Sequence, residues 1–425
     1  MVTHAERTQP LALDDLVVLD LTDEKGQYMG KLMGDLGATV IKVEPPGGDP
    51  ARRIGPFAGD VEAPERSLYW WHYNTSKLGV TLDIANPEGQ ALLKRLAAKA
   101  DVVLESFQPG YLDGLGLGYE ALSAVNPRLI MTSLTAYGQT GPYKDHLTSD
   151  LIALAMGGPM ASTGYSEEDV SGAPPIRGTG NQGYHTGNHW GLIGTLVALA
   201  HRDATGEGQH VDASLHEALA CTTEAAMSHY FYLKRAPMRQ TGRHHAQTVT
   251  PRTQWPTRDG RYVCAFNVPR NVACWNSFTE WMAEHGMGEE LRRDPKYRQA
   301  FLSGARATPE IDTVWHGMGE LISKLTAEEA YQGAQRRGYP WGAVRSPDEN
   351  VQDPHFQERG FFVEVEHPEL GRRYTYPNAP AVMHGTRYGI RHRAPLTGEH
   401  NEQVYSKLLG LTAREVTRLR QERVI

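Results

Sequence analysis

The sequence predicts an α/β protein: a Rossmann-like large domain assembled from the N- and C-terminal parts of the chain, with a smaller α+β domain between them. Three observations predict it. Short runs of strand formers alternate with helical patterns through roughly the first 220 residues. The pattern changes character after residue 225 and again near 338. The 425 residues suffice for two or more hydrophobic cores. The expected division is therefore 1–225 for the first part of the large domain, 226–337 for the small domain and 338–425 for the return to the large one.

LVVLDL (16–21) and TVIKVEP (39–45) are strand-like, the second stopped by Pro45-Pro46. KLMGDLG between them has helical spacing and ends on glycine, which gives strand–helix–strand and the start of a parallel sheet. NPEGQALLKRLAAKA (86–100) predicts a helix: Asn86 caps, Pro87 suits the first turn, and Leu92, Leu93, Leu96 and Ala97 share a face. DVVLES (101–106) and LIMTSLTAYG (129–138) follow as strands, and SDLIALAMGG as a helix. RGTGNQGYHTGNHWG (177–191) reads as a loop feeding a long helix over about 185–203, followed by a strand running into another helix in GEGQHVDASLHEALA. Beyond 225, Arg258-Asp259-Gly260 marks a turn before a strand, with helical segments at 271–286 and twice more between 308 and 337. GFFVEVEHPELGRRYTYP predicts a hairpin turning at Pro368–Gly371, and TAREVTRLRQERVI a closing basic helix.

Composition excludes several classes. The net charge of −7 argues against broad nucleic-acid binding. No apolar run reaches transmembrane length, and MVTHAERTQP lacks the apolar core of a signal peptide, so a cytoplasmic protein without membrane or nucleic-acid partners is expected. Cys221, Cys264 and Cys274 have no metal-ligand spacing and fit core thiols. DLTDEKGQYMGKLMG is not a GxGxxG turn, and neither GxxxxGK[ST] nor GxSxG occurs. No metal is expected: His244-His245 and the pair His185/His189 read as surface or helix-cap histidines.

Six ordered segments carry a resemblance. They are VLDLT (18–22), DLGATVIKVEPPGGDPARR (35–53), NTSKLGVTLDIANPEGQALLKRLAAKADVVLESFQPG (74–110), LGLGYEALSAVNPRLIMTSLTAYGQTGPY (115–143), TGEGQHVDASLHEAL (205–219) and APLTGEHNEQVYSKLLGLTAREV (394–416). Together they are similar to class III CoA-transferases, the CaiB/BaiF family. The resemblance implies transfer of CoA between carboxylic acids. It implies an interlocked dimer, CoA thioesters as substrates rather than a permanently bound cofactor, and a nucleophilic aspartate that forms a mixed anhydride and then an enzyme–CoA thioester.

At the position of that aspartate the chain carries Asn181, from the family's Gly-Asp pair, or Gly183, if Gly187 is taken as the family's downstream helix glycine. Neither is an acid, and an amide is a poor nucleophile. Asp150 is a possible accessory carboxylate and equally a favourable helix N-terminal acid. Ser149 stands where related racemases have histidine. For CoA the resemblance implies Lys77, Ser106 and Phe107, with Arg52 and Arg53 as further phosphate contacts; Gln108 replaces an arginine common in the family, and a glycine-rich lid is absent, which speaks against oxalate or formate as substrates.

The chain therefore resembles the noncatalytic subunit of heteromers such as succinyl-CoA:(R)-benzylsuccinate CoA-transferase of anaerobic toluene degradation, partnered by a homologous catalytic chain. Two alternatives are an active homodimer using Asp150 or another acid, and a CoA-binding protein without turnover.

Overall fold

The computed structural model describes residues 9–224, 226–265, 270–305 and 308–425. The chain divides into two compact units. One comprises the described residues up to Gly157, then Gly178–Thr222 and Pro354–Ile425; the other comprises Gly158–Arg177 and Thr223–Asp353.

The first unit is built on six parallel strands: β1 (Val17–Asp20), β2 (Thr39–Glu44), β3 (Lys77–Thr81), β4 (Val102–Glu105), β5 (Ile130–Thr135) and β6 (His210–Ser214). Their order across the sheet is β3-β2-β1-β4-β5-β6. The chain winds outward from β1 in one direction and from β4 in the other, so the order reverses between these two neighbours. In such sheets the crevice beyond the carboxyl ends at that reversal is where ligands bind.

Strands β1 to β5 are buried along nearly their whole length because both faces of the sheet are covered there, whereas β6 is partly exposed. Leu19, Ile41, Val43, Val103 and Met131 pack on one face, with Leu92, Leu93 and Leu96 of the helix Pro87–Ala97. Val18, Val40, Val102, Leu104 and Ile130 pack on the other, with Met29 and Met33. The helices concerned are α1 (Gln27–Asp35), α2 (Leu68–Tyr73), α3 (Pro87–Ala97), α4 (Asp150–Met156) and α5 (Gln182–Thr205). Asn86 caps α3 as its sequence predicts, accepting the Glu88 N–H at 2.9 Å.

The segment 177–191 is outside the helix only as far as Asn181: α5 begins at Gln182, a little before the expected start near 185, and the rest of the segment is its first turns. Its glycines are a packing face. A Cβ at Gly187 would overlap Leu215, one at Gly191 would lie 3.0 Å from Met29 Sδ, and one at Gly194 would lie 2.8 Å from Val211. Absent side chains let a 24-residue helix lie close on the sheet. The helix stops at Gly206, whose φ of +85° suits glycine.

In the second unit, β7 (Gln254–Pro256), β8 (Tyr262–Ala265) and β9 (Trp341–Ala343) form an antiparallel sheet. The helices Val272–Glu284, Pro309–Ser323 and Ala327–Arg336 share its core through Trp275, Trp281, Val314, Leu321 and Ala330. Residue 338 begins the sequence's expected return, whereas β9 is hydrogen-bonded to β8 and the division between units falls after Asp353. The first unit resumes with the hairpin β10 (Phe362–His367) and β11 (Arg372–Pro377), then α6 (Asn401–Leu409) and α7 (Ala413–Gln421). This C-terminal part is bound to the edge strand: Thr81 N–H donates to Asn401 Oδ1 at 2.8 Å, and Tyr405 Oη donates to Thr81 O at 2.7 Å.

Candidate functional site

The carboxyl ends of β1 and β4 lie side by side, and their loops are tied together. Asp23 N–H donates to Ser106 Oγ at 2.9 Å, and Ser106 Oγ donates to Asp23 Oδ1 at 2.8 Å. Ser106 is buried and Phe107 half-buried just beyond β4, at the mouth of the crevice where the sequence expected CoA. Glu105 fixes this loop from beneath by accepting the Phe107 N–H at 2.7 Å. Burial pushes the Glu105 carboxyl up to about 7, against the lowering effect of hydrogen bonds from Ser133 and the Phe107 N–H; Asp23 pushes it further up and Lys25 down. Ser133 Oγ in turn lies 2.8 Å from Nε2 of the exposed His210. Parallel register aligns Glu105 with Ser133, and the Ser133 hydroxyl reaches the imidazole of His210, which stands two positions earlier on the next strand, opposite Met131.

The nucleophile position is the start of α5. Asn181 Nδ2 donates to Tyr69 Oη at 2.8 Å. Asp150, at the first turn of α4, does not point to solvent. Its Oδ1 accepts the N–H groups of Gly183 at 2.8 Å and Tyr184 at 3.1 Å. A carboxylate there satisfies two of the unpaired donors of α5 and complements the helix dipole. The sequence makes Asp150 an N-terminal acid of its own helix or an accessory carboxylate; its hydrogen bonds instead run to the N-terminus of α5, beside Gly183. Tyr73 Oη meets His185 Nε2 at 2.8 Å, and the Tyr28 ring stacks on His185 at 4.5 Å. Burial pushes the Tyr73 hydroxyl up to about 12 and the His185 imidazole down, so both are neutral near pH 7. Asn188 locks α5 to the β1–α1 loop, accepting Met29 N–H at 2.8 Å and donating to Lys25 O at 2.6 Å.

Lys77 and Arg52 are internal, which argues against the phosphate contacts the resemblance implied for them. Lys77 is fully buried and spends its three donors on Asp20 Oδ2 at 2.8 Å, Gln27 O at 2.8 Å and Asn74 Oδ1 at 2.9 Å. Gly30 leaves room for this pair, since a Cβ there would lie 3.1 Å from Lys77 Nζ. Arg52 is clamped by both oxygens of Glu44 at 2.6 and 2.8 Å and by Glu65 at 2.8 Å, with its guanidinium 3.8 Å from the Trp70 ring centroid. Arg53 is exposed. Missed in the sequence were Glu105, Ser133, His210, Tyr69 and Tyr73. The strand alignments 102–105, 130–135 and 210–214 were a usable signal for the first three; nothing local marks the tyrosines.

A parallel sheet whose order reverses at β1 and β4, with the loops beyond them tied together, and a long helix whose first turn is held by a buried carboxylate, define a doubly wound α/β protein. Residues 13–401 match the model of CoA-transferase family III, and the chain belongs to that family. It is 35% identical over 98% of both chains to succinyl-CoA–D-citramalate CoA-transferase of Chloroflexus aurantiacus. It is 33% identical to succinyl-CoA:(R)-benzylsuccinate CoA-transferase subunit BbsE of Thauera aromatica, over 91% of this chain and 92% of that one. Among solved structures, a CaiB/BaiF family protein from Brucella suis superposes with a TM-score of 0.78 at 26% identity, covering 94% of this chain and all of that one. Among the described residues, no helix is long and apolar enough to cross a membrane.

Proposed function

We propose that this chain is the CoA-binding, noncatalytic subunit of a class III CoA-transferase that moves CoA between succinyl-CoA and a second carboxylic acid. Its partner is a homologous chain that carries the nucleophilic aspartate. The observation that carries this reading is the first turn of α5: Asn181 and Gly183 occupy the two candidate nucleophile positions, and the carboxylate beside them, Asp150, is buried and bonded to backbone N–H groups of that turn. Such an acid orients a helix rather than attacking a thioester.

Succinyl-CoA as donor is supported by the names of both relatives, and a substituted succinate such as benzylsuccinate as acceptor by the second. CoA would meet Ser106 and Phe107, with Arg53 as the exposed cation of the pair expected for phosphate. An interlocked dimer is supported by the exposed Trp190, Ile193 and Val197, spaced along α5 where a second chain would cover them.

The test is turnover of succinyl-CoA with citramalate and benzylsuccinate, by the chain alone and by the chain co-expressed with an aspartate-bearing homologue. Borohydride trapping identifies which chain carries the CoA thioester. Ordinary turnover rates, about 1–1,000 s⁻¹, from the single chain, or an adduct on it, would establish instead the active homodimer. CoA binding without activity in either sample would leave a binding protein.

A further inference from the structure

His244 and His245 meet a carboxylate that lies twenty residues earlier in the chain. In the second unit, Nε2 of His244 lies 3.2 Å and Nε2 of His245 lies 3.4 Å from the same oxygen, Oε2 of Glu224. The three ligand-type atoms all fall within 4.8 Å of one another. The two imidazoles are stacked, with ring centroids 4.6 Å apart. All three residues line a cavity of about 950 Å³ within this unit, which His229 also lines.

These separations have a specific meaning for a metal. Zinc bonds to imidazole nitrogen and carboxylate oxygen at about 2.0–2.2 Å, so neighbouring ligand atoms of a tetrahedron stand about 3.3–3.6 Å apart. The two nitrogen–oxygen separations sit at that edge length. Two imidazoles and one carboxylate are borderline donors, suited to zinc, nickel or cobalt rather than to magnesium or calcium.

We propose that Glu224, His244 and His245 bind one divalent transition-metal ion, with zinc as the type case. The fourth position is left to water or an anionic ligand from the cavity. Binding would draw the two Nε2 atoms together from their stacked arrangement and release any proton they carry. The site belongs to the second unit and stands independently of the transferase reading.

The experiment is calorimetric titration of the full chain with zinc chloride, paired with the visible spectrum of the cobalt-loaded protein. One equivalent should bind. The cobalt spectrum should be that of a tetrahedral nitrogen–oxygen site, without the thiolate charge-transfer band that Cys221, Cys264 or Cys274 would introduce. His244→Ala, His245→Ala and Glu224→Gln should each weaken zinc binding by at least about tenfold, while His316→Ala, which alters an exposed histidine on the helix Pro309–Ser323, should not. Circular dichroism confirms that each variant is folded. Absence of stoichiometric binding, a thiolate band, or undiminished affinity in the folded His244→Ala/His245→Ala double variant overturns the proposal.

Discussion

The Lys77 ammonium lies 2.8 Å from the Asp20 carboxylate, and neither side chain has any exposed surface. Burial pushes Lys77 down to about 8, while Lys77 and Lys42 overcome the effect of burial on Asp20 and hold it below the usual carboxylate range. The pair is ionised at neutral pH and joins the ends of β1 and β3 through the core. Lys77→Ala leaves Asp20 buried without its partner, and should lower unfolding free energy by about 3–5 kcal/mol. Lys77→Met with Asp20→Asn should recover part of that loss. Urea unfolding measures both. Wild-type stability in Lys77→Ala, accompanied by weakened CoA binding, would return Lys77 to the ligand.

The Asp150 carboxylate accounts for two helix N–H groups. Asp150→Ala should destabilise the fold by about 1–3 kcal/mol by leaving buried donors unpaired. Asp150→Asn keeps an acceptor and should lose only the charge–dipole part, about 0.3–2 kcal/mol. Equal losses in the two variants, read from denaturant midpoints, would show that the charge, and not the acceptor, is what matters there.

The two candidate nucleophile positions respond differently to an acid. Asn181→Asp keeps its contact with Tyr69, whose hydroxyl can donate to the new carboxylate, so the fold should persist and slight transferase activity is expected. At Gly183 a Cβ would stand 3.1 Å from Asp150 Oδ1, so Gly183→Asp brings two carboxylates together and should be the less stable variant. Thermal melts and single-chain assays of both variants check this contrast.

Glu105 predicts a pH dependence. Its carboxyl is raised from about 4.5 to about 7 in the fold, so the folded chain holds a proton that the unfolded chain has released. The stability tied to this proton is complete below the ordinary carboxylate range and is lost as pH rises through about 7. The ceiling is about 3 kcal/mol. Glu105→Gln should remove this decline, so the difference between unfolding free energies at about pH 5 and about pH 8 should change by that order. An identical pH profile in wild type and variant would show that Glu105 titrates normally.

How far the sequence discloses this arrangement depends on the distance over which each signal acts. The strands and α3 were legible because apolar runs, prolines and an Asn-Pro cap are local features. The start of α5 was misread because glycines and amides weaken helix propensity; their use, close approach to the sheet, depends on Leu215 and Met29 from other elements. Lys77 gave no sign of its burial, since Asp20 lies 57 positions away. The family and its sheet were readable from six segments. The pairing of Glu105 with Ser133 emerges only when parallel register is known, and the contact of Ser133 with His210 only when the side chains are placed.

The bonds between Thr81 and Asn401 span 320 positions. A ribosome adding about 5–20 residues per second needs roughly 16–64 s to traverse that distance. During that interval the nascent β3 has no covering helix along its outer edge, while the intervening unit has been synthesised in full. Such an edge is an invitation to pairing between neighbouring chains on a polysome. Slower initiation, which spaces those chains apart, should therefore raise the yield of folded protein more than slower elongation, which prolongs the exposure.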